Sequence, residues 1–306
     1  FLMEGILPLF KPKGMTSHDC VWKLRKLYQT KKIGHTGTLD PDVTGVLPIC
    51  VGRATKIAEY ITDAGKSYEG EVTIGFSTTT EDSSGEIVER ADGKKHLSRS
   101  QVLEVLANLQ GEIEQTPPMY SAVKVNGKKL YEYARAGIEV ERPSRKVNIY
   151  SIELLDDSQE WSGETISFRF RVSCSKGTYI RTLAVMIGEQ LGYPAHMSHL
   201  IRTQSASFTI EDCHTFEEIE QLELEDRVSL LQPLEKGLLH LPKYDISDKV
   251  AMKVINGAVL PLLDDIKLNT AEPFVLQYEG NALAIYKAHE TKEGCMKPVK
   301  VLRTSL

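Results

Sequence analysis

The hydrophobic residues of the chain follow two different periods, and together they predict both strands and helices. Apolar and polar residues alternate over Tyr68–Phe76, which is typical of a strand with one buried face. Apolar residues recur at helical spacing over 21–29, which predicts a helix with Ser17 as a candidate cap. The same two patterns predict further strands at 5–10, 46–51, 119–125, 146–155, 166–174 and 206–210, and further helices at 53–61, 97–111, 128–135 and 179–191.

The segments between and after these elements predict the domain organisation. Residues 78–93 are polar and predict a surface loop, whereas the acidic residues 211–236 have a helical pattern. Residues 242–246 resemble a linker, and residues 247–306 contain short strand candidates separated by turn formers. We therefore expect a large domain over 1–241 and a small β-rich domain over 242–306.

Composition excludes several classes of protein. The 306 residues are 41% hydrophobic, enough for a sizeable core, yet no apolar run approaches the roughly 18–20 residues of a membrane span. The five cysteines are scattered and form no C-x-x-C pair, which argues against a zinc site or a disulfide framework. No signal peptide is evident, so we expect a cytoplasmic protein with reduced thiols.

Charge is distributed unevenly along the chain, although its net value is only −5. Residues 11–35 contain seven Lys or Arg and one acid, and residues 121–149 contain seven against three. Residues 211–236 contain nine acids against two bases. This segregation favours a phosphate-binding face opposite an acidic back. The alternative is a pair of solvated, charged helices.

The run Gly34–Pro48 is dense in glycine, proline and hydroxyl residues around one histidine and two aspartates. Such density predicts a stiff, sharply shaped loop that presents side chains, or else a surface loop rich in turn formers. The run lacks the Gly-Lys-Ser/Thr of a phosphate-binding loop, and His35 with Asp40 is too few ligands for a metal site. The interpretation that remains for this run is an aspartate held on a stiff loop.

Residues 116–137 form a second unusual segment. Pro117-Pro118 interrupts regular structure, and Asn126-Gly127 predicts a hairpin turn after a strand. Tyr131 and Tyr133 are interleaved with basic residues, as in segments that stack on RNA bases and bind phosphates. The alternative is that these tyrosines only pack.

These motifs, taken as a set, resemble those of the TruB family of pseudouridine synthases. The resemblance is carried by the following runs: Lys11-Pro12-Lys13-Gly14-Met15-Thr16-Ser17, Gly34-His35-Thr36-Gly37-Thr38-Leu39-Asp40-Pro41, Thr44-Gly45-Val46-Leu47-Pro48, Lys66-Ser67-Tyr68-Glu69, Gly177-Thr178-Tyr179-Ile180-Arg181-Thr182-Leu183 and Leu200-Ile201-Arg202-Thr203. They span roughly residues 5–240. The resemblance implies an α+β fold whose mixed, mainly antiparallel catalytic sheet is flanked by helices, followed by a small C-terminal β-rich PUA-like domain. It also implies an RNA-binding insertion at about 116–146.

The resemblance implies three catalytic residues. Asp40 matches the family's catalytic aspartate, as nucleophile, electrostatic partner or proton acceptor. Burial would raise the pKa of such a carboxyl, and Arg181, which matches the active-site arginine, would oppose that. Tyr68 matches the tyrosine that stacks on the target base and could accept or relay the carbon-5 proton. In the absence of the resemblance, Arg181 would be a surface helix residue and Tyr68 a core residue.

The remaining implied site residues bind substrate. His35 would fill the gap left when the base leaves its stack. Leu200 would wall the pocket, and Tyr179 is a further substrate-binding candidate. Lys11, Lys13, Lys31 and Lys32 are expected to contact phosphates.

The implied activity is isomerisation of uridine to pseudouridine at position 55, in the T-loop of elongator tRNAs. The reaction needs no cofactor and no metal, because it has no redox step and gains no atom. We expect tRNA, bound through its T-loop and T-stem, as partner, with no membrane and no obligate protein partner. Compact length favours a stand-alone enzyme over the RNA-guided members of the family. The alternative is an RNA-binding or tRNA-folding protein whose role does not depend on catalysis; a metal-dependent nuclease would need a carboxylate cluster.

Overall fold

A computed structural model of the chain describes residues 2–266 and 272–306. The chain divides into two compact units. The first unit comprises Phe1–Asp42, Val46–Ala64 and Ser205–Leu306, and the second comprises Val43–Gly45 and Gly65–Gln204. The division between residues 241 and 242 expected from the sequence stays a prediction.

The N-terminal part of the first unit is built on a buried strand and one capped helix. Its elements are β1 (Gly5–Lys11), α1 (Ser17–Leu27), β2 (Ile33–His35), β3 (Thr44–Val51, whose first two residues belong to the second unit), a 3-10 helix (Gly52–Ile57) and α2 (Ala58–Thr62). The prediction of Ser17 as cap is wrong. Thr16 caps α1 instead: its hydroxyl accepts from the Asp19 amide, and the Asp19 carboxylate accepts from the Thr16 amide, both at 2.9 Å.

The second unit contains the large antiparallel part of the fold. Its elements are β4 (Lys66–Ile74), β5 (Phe76–Thr78), β6 (Ile87–Arg90), β7 (Lys95–Ser98), α3 (Arg99–Asn108), β8 (Gly111–Gln115), β9 (Lys124–Val125), β10 (Lys128–Lys129), α4 (Leu130–Arg135), β11 (Arg145–Leu154), β12 (Glu160–Gly163), β13 (Ile166–Cys174), α5 (Ile180–Leu191) and β14 (Ala195–Ser205). Its sheet runs β14-β4-β13-β11-β8, and the pairs β4/β13, β13/β11 and β11/β8 are antiparallel. Thr44 and Gly45 pair in parallel with Ile201 and Arg202.

The rest of the first unit is helical and then β-rich. Its elements are β15 (Phe208–Thr209), a 3-10 helix (Ile210–Asp212), α6 (Phe216–Glu220), α7 (Leu224–Ser229), a 3-10 helix (Leu234–Leu238), β16 (Lys243–Asp245), α8 (Asp248–Val254), β17 (Leu260–Pro261), β18 (Phe274–Tyr278), β19 (Asn281–Ala288) and β20 (Cys295–Val301). The last five strands form one sheet in the order β16-β18-β19-β20-β17, which packs its apolar residues with those of α8. The expected α+β class and C-terminal β-rich domain are confirmed; the PUA-like label stays a prediction.

Two sequence predictions of secondary structure are wrong, and one long strand was missed. Strand β14 was missed, because buried polar residues such as His196 and Arg202 interrupt its apolar pattern. The predicted loop 78–93 contains β6, which pairs with β5. The strand predicted at 119–125 is reduced to β9. The helical pattern predicted for the acidic segment 211–236 is confirmed, in the form of several short helices.

In the described part of the chain, no helix is long and apolar enough to cross a membrane.

Candidate active site

The loop that carries Asp40 is closed by a strand pair in the first unit. Residues of β2 pair antiparallel with β3, with His35 opposite Ile49. Thr36 then begins the loop as a fully buried residue whose hydroxyl donates to the Pro48 carbonyl at 2.7 Å. The glycine-rich turn therefore begins at the end of a hydrogen-bonded strand pair, and His35 lies half-buried at that end.

Both neighbours of Asp40 are anchored to other parts of the first unit. The Leu39 amide donates to the Ser17 hydroxyl at 3.0 Å, and the Leu39 side chain is buried. The Pro41 carbonyl accepts from the Gly14 amide at 2.8 Å. Asp40 itself is half-buried. Because the backbone is held on both sides, the carboxylate is confined to a small region, as a preorganised catalytic group requires. These anchors support the stiff loop, which stays a prediction.

Lys11 anchors this loop through the hydrogen bonds of its ammonium. It is fully buried, and its ammonium donates to the carbonyls of Pro12 at 2.8 Å, Met15 at 2.6 Å and Pro41 at 3.1 Å. This burial contradicts the prediction that Lys11 contacts a phosphate, because the ammonium is enclosed by backbone. Lys13, Lys31 and Lys32 are exposed, and their phosphate contacts stay predictions.

Arg181 lies in the first turn of α5 in the second unit, and it is 7% exposed. Its guanidinium donates to the Thr80 carbonyl at 3.1 Å and to the Tyr120 carbonyl at 3.0 Å. Arg181 is thus a fixed, nearly buried cation rather than a surface helix residue. The two carbonyls are reached by two different nitrogens of the planar guanidinium, Nη1 and Nη2, an arrangement that the single nitrogen of an ammonium does not reproduce.

Tyr68 and Leu200 lie over one face of β4 in the second unit. Tyr68 is paired with Val172 of β13, and both Tyr68 and Leu200 are nearly buried. Gly70 lies two residues after Tyr68 and so shares its face. A Cβ atom placed on Gly70 would be 3.4 Å from Leu200 Cδ1 and 2.9 Å from the Phe170 ring. The missing side chain at Gly70 therefore leaves the space that the Phe170 ring occupies, and Leu200 lies at contact distance beside it.

Tyr179 is held at the start of α5 by a glutamine that the sequence analysis missed. Gln115, at the end of β8, is buried. Its amide nitrogen donates to the Tyr179 carbonyl at 3.1 Å, and its amide oxygen accepts from the Tyr179 backbone N–H at 2.9 Å. This two-point contact fixes the turn that leads into Arg181. No local pattern distinguishes such a glutamine, since its partner is distant in sequence.

Glu81 is a second residue that the sequence analysis missed. Its backbone is left-handed, with φ 66°, which is uncommon outside glycine. Its carboxylate accepts from the Thr182 hydroxyl at 2.8 Å, and its carbonyl accepts from the Met197 amide at 2.9 Å. Burial raises the pKa of the Glu81 carboxyl, while the Thr182 hydrogen bond and the Arg181 charge act in the opposite direction. Glu81 thus places a buried acid next to the helix turn of Arg181.

The insertion that follows β8 combines packing with aromatic–cation contacts. The Tyr133 hydroxyl donates to the Val125 carbonyl at 2.8 Å, so this tyrosine packs within the insertion. The Tyr131 ring lies 5.5 Å from the Lys129 ammonium and 5.1 Å from the Arg135 guanidinium carbon. A ring flanked by two cations suits RNA stacking, which stays a prediction for Tyr131.

The predicted site residues divide between the two units. The first unit holds Asp40 and His35, and the second holds the nearly buried group of Tyr68, Arg181 and Leu200. Among the residues the structure describes, no group of three or more His, Cys, Asp or Glu could hold a metal ion.

Two family models match most of the chain. The TruB family pseudouridylate synthase N-terminal domain matches residues 25–180, and the tRNA pseudouridylate synthase B C-terminal domain matches residues 181–239. The chain is 59% identical over 302 residues to a tRNA pseudouridine synthase B from Geobacillus thermodenitrificans, which covers 98% of this chain and 100% of the relative. It is 64% identical over 261 residues to the protein of the same name from Geobacillus kaustophilus, covering 85% and 92% of the two chains.

Solved structures of related proteins have a similar fold. A chain in the crystal structure of a Cbf5-Nop10-Gar1 complex is 30% identical, with a TM-score of 0.75 over 99% of this chain and 86% of that one. A chain in the structure of an H/ACA RNP bound to a substrate RNA containing 2′-deoxyuridine is 28% identical, with a TM-score of 0.71 over 97% and 84%.

Proposed function

Because the chain belongs to the TruB family of pseudouridylate synthases, we propose that it isomerises uridine to pseudouridine at position 55 in the T-loop of elongator tRNAs. The observation that carries this proposal is the 59% identity to a tRNA pseudouridine synthase B along that relative's whole length. The enzyme is a cofactor-independent isomerase: the glycosidic bond breaks, the base rotates, and a bond to carbon 5 replaces the bond to nitrogen 1.

Asp40 is the proposed centre of this chemistry. A carboxylate must act at the bond between sugar and base, and a base must later remove the carbon-5 proton. The anchored neighbours Leu39 and Pro41 support this role, because they limit how far the carboxylate can move. Arg181 is proposed as the cation that keeps Asp40 ionised, and its near-complete burial would strengthen its effect.

The residues of the β4 face are proposed to receive the flipped base. Tyr68 would stack on it and accept or relay the carbon-5 proton, while Leu200 would close the apolar wall. His35 would take the place of the base in the RNA stack. Tyr179, fixed by Gln115, is proposed as a further substrate contact.

The remaining RNA contacts are proposed from exposed basic residues. Lys13, Lys31 and Lys32 would meet phosphates of the T-stem, and the 116–146 insertion would hold the RNA. The C-terminal β-rich residues are proposed as a PUA-like RNA-binding domain. We propose that the enzyme acts alone in the cytoplasm; the free cysteines of the described residues support a reducing compartment.

Release of tritium from T-loop RNA labelled at carbon 5 of the target uridine tests the proposal. The assay is run in chelator with the wild type, with Asp40→Asn and with Asp42→Asn, a matched change at an exposed aspartate two residues away. We expect release by the wild type and by Asp42→Asn, and a loss of release with retained RNA binding for Asp40→Asn. Binding without release by the wild type would replace the enzyme hypothesis with the tRNA-folding one. Release by Asp40→Asn would remove Asp40 from the mechanism.

A further inference from the structure

Helix α1 presents a tryptophan to solvent. Trp22 is 57% exposed, although its neighbours Val21 and Leu24 are buried in the first unit. An indole on the outer face of a helix contributes little to the core, and tryptophan is a residue type that is enriched at interaction surfaces. Trp22 has no part in the chemistry proposed for Asp40, so its exposure calls for a separate explanation.

Cations surround this indole. The Lys26 ammonium lies 3.4 Å from the centroid of the Trp22 ring, one helical turn further along α1. Shallow grooves flank the ring on both sides. One groove is lined by Trp22, Arg25, Lys26, Gln29, Thr30 and Lys31, and the other by Met15, Asp19, Trp22, Lys23, Lys26 and Leu27.

The basic side chains next to the Trp22 ring differ in the contacts that they already form. Lys23 forms a 2.6 Å ion pair with Glu220, and one Arg25 nitrogen donates to the Ile33 carbonyl at 3.2 Å. Lys31 is exposed on the groove, and Lys26 is exposed too, with its ammonium over the Trp22 ring, so that it would move aside for a base that stacks on that face. A partner that brings negative charge would therefore meet these two lysines beside the indole.

We propose that Trp22, Lys26 and Lys31 form a second RNA contact, here named the Trp22 platform. An unpaired tRNA base stacks on the indole, and the two lysines bind the adjacent phosphates. The identification of the RNA as tRNA rests on the proposed function. Charge favours RNA over a protein partner, because residues 11–35 contain one acid and four exposed lysines, Lys13, Lys26, Lys31 and Lys32. A π-face next to mobile cations accepts any base, so the platform adds affinity without adding sequence preference.

The chain offers a direct spectroscopic test, because it contains only two tryptophans. Trp161→Phe leaves Trp22 as the single indole. We expect its emission to fall when full-length tRNA is added, since a base stacks on the ring. In binding measurements, Trp22→Ala should raise the Kd for tRNA about tenfold. The matched control is Tyr150→Ala, which removes an exposed aromatic ring from β11 in the second unit.

Lys26→Gln provides a second variant that leaves the indole in place. It should reduce the slope of log Kd against log salt by roughly 0.7–0.9, the loss of one phosphate contact. Unchanged Trp22 emission at saturating tRNA, or equal Kd values for Trp22→Ala and Tyr150→Ala, would overturn the proposal. A Trp22 signal that depends on protein concentration without RNA would assign the surface to a second copy of the chain. Tritium release by the wild type is measured in parallel, so that a failure of the enzyme activity is distinguishable from a failure of the platform.

Discussion

The guanidinium of Arg181 is hydrogen-bonded to the backbone carbonyl of Tyr120 at 3.0 Å. This contact joins the first turn of α5 to the 116–146 insertion within the second unit. The same guanidinium also donates to the Thr80 carbonyl. Arg181, one of the proposed catalytic residues, is thus connected both to the β5–β6 hairpin and to the segment proposed to hold RNA. Its orientation depends on where the insertion lies.

Arg181→Lys should therefore lower the rate of isomerisation and loosen the insertion. A single ammonium keeps the charge but does not reproduce the planar fork that reaches both carbonyls. We expect a fall in kcat of about 100-fold or more, as for the loss of one preorganised charged donor. Single-turnover tritium release measures the rate, and limited proteolysis between residues 116 and 146 measures the loosening. Arg169→Lys, an exposed arginine on β13, is the control. A wild-type rate for Arg181→Lys would show that the fork is dispensable.

Gln115→Leu should destabilise the start of α5. The change removes both hydrogen bonds to the Tyr179 backbone while keeping a side chain of similar size. The unpaired backbone groups cost about 1–3 kcal/mol in unfolding free energy, reduced where water reaches the half-buried Tyr179. Urea denaturation measures this loss. Gln110→Leu, at an exposed position just before β8, is the control. Equal stability of the two variants would mean that Gln115 does not fix the turn.

Gly45→Ala should be far more disruptive than Gly93→Ala, a glycine substitution elsewhere in the second unit. Gly45 has φ 118°, and an added Cβ would lie 2.1 Å from the Arg202 carbonyl oxygen and 2.8 Å from its amide nitrogen. The backbone strain and the overlap together cost about 3 kcal/mol or more. Gly93→Ala is the matched control, because Gly93 has φ 88° but nothing within 4 Å of the added Cβ. Gly93→Ala should lose only the free energy of unfolding that corresponds to the backbone strain, about 1–2 kcal/mol. Thermal unfolding compares the two, and similar losses would contradict the close contact with Arg202.

Strands with a clean apolar alternation could be predicted closely from the sequence. The alternation at 166–174 corresponds to β13 residue for residue, and the helix predicted at 179–191 ends at Gly192 as α5 does. The loop of Asp40 could be anticipated because glycine and proline are concentrated there. In each case the signal lies within the segment itself.

The elements that were missed depend on partners far along the chain. Strand β14 buries His196, which is hydrogen-bonded to the Phe76 carbonyl, so polar residues occupy its interior positions. Gln115 and Glu81 resemble ordinary polar residues until Tyr179 and Thr182 are placed against them. Burial of Lys11 was missed for the same reason, since the backbone carbonyls that its ammonium reaches include one 30 residues away, at Pro41.

Glu81→Gln should alter how stability depends on pH. Burial raises the pKa of the Glu81 carboxyl in the folded protein above its ordinary value of 4.5. A raised pKa means that folding favours the protonated carboxyl. The contribution of Glu81 to the free energy of unfolding is therefore complete below pH 4.5, and it is lost as pH rises through the folded-state pKa. The wild type should therefore lose stability relative to Glu81→Gln over that window. Above this pH window, the glutamine amide of the variant has no charge to bury, and its oxygen can still accept a hydrogen bond from the Thr182 hydroxyl.

Urea denaturation of both proteins at a series of pH values measures this difference, with Glu89→Gln as an exposed control on β6. The unfolding free energy of Glu81→Gln minus that of the wild type should rise from pH 4 towards neutrality, whereas the corresponding difference for Glu89→Gln should stay nearly constant. A fall instead of a rise would mean that Thr182 and Arg181 outweigh burial, and that the ionised carboxylate stabilises the turn of Arg181. In that case Glu81→Gln should also lower the rate of tritium release at neutral pH, because Arg181 would be positioned less firmly without the carboxylate.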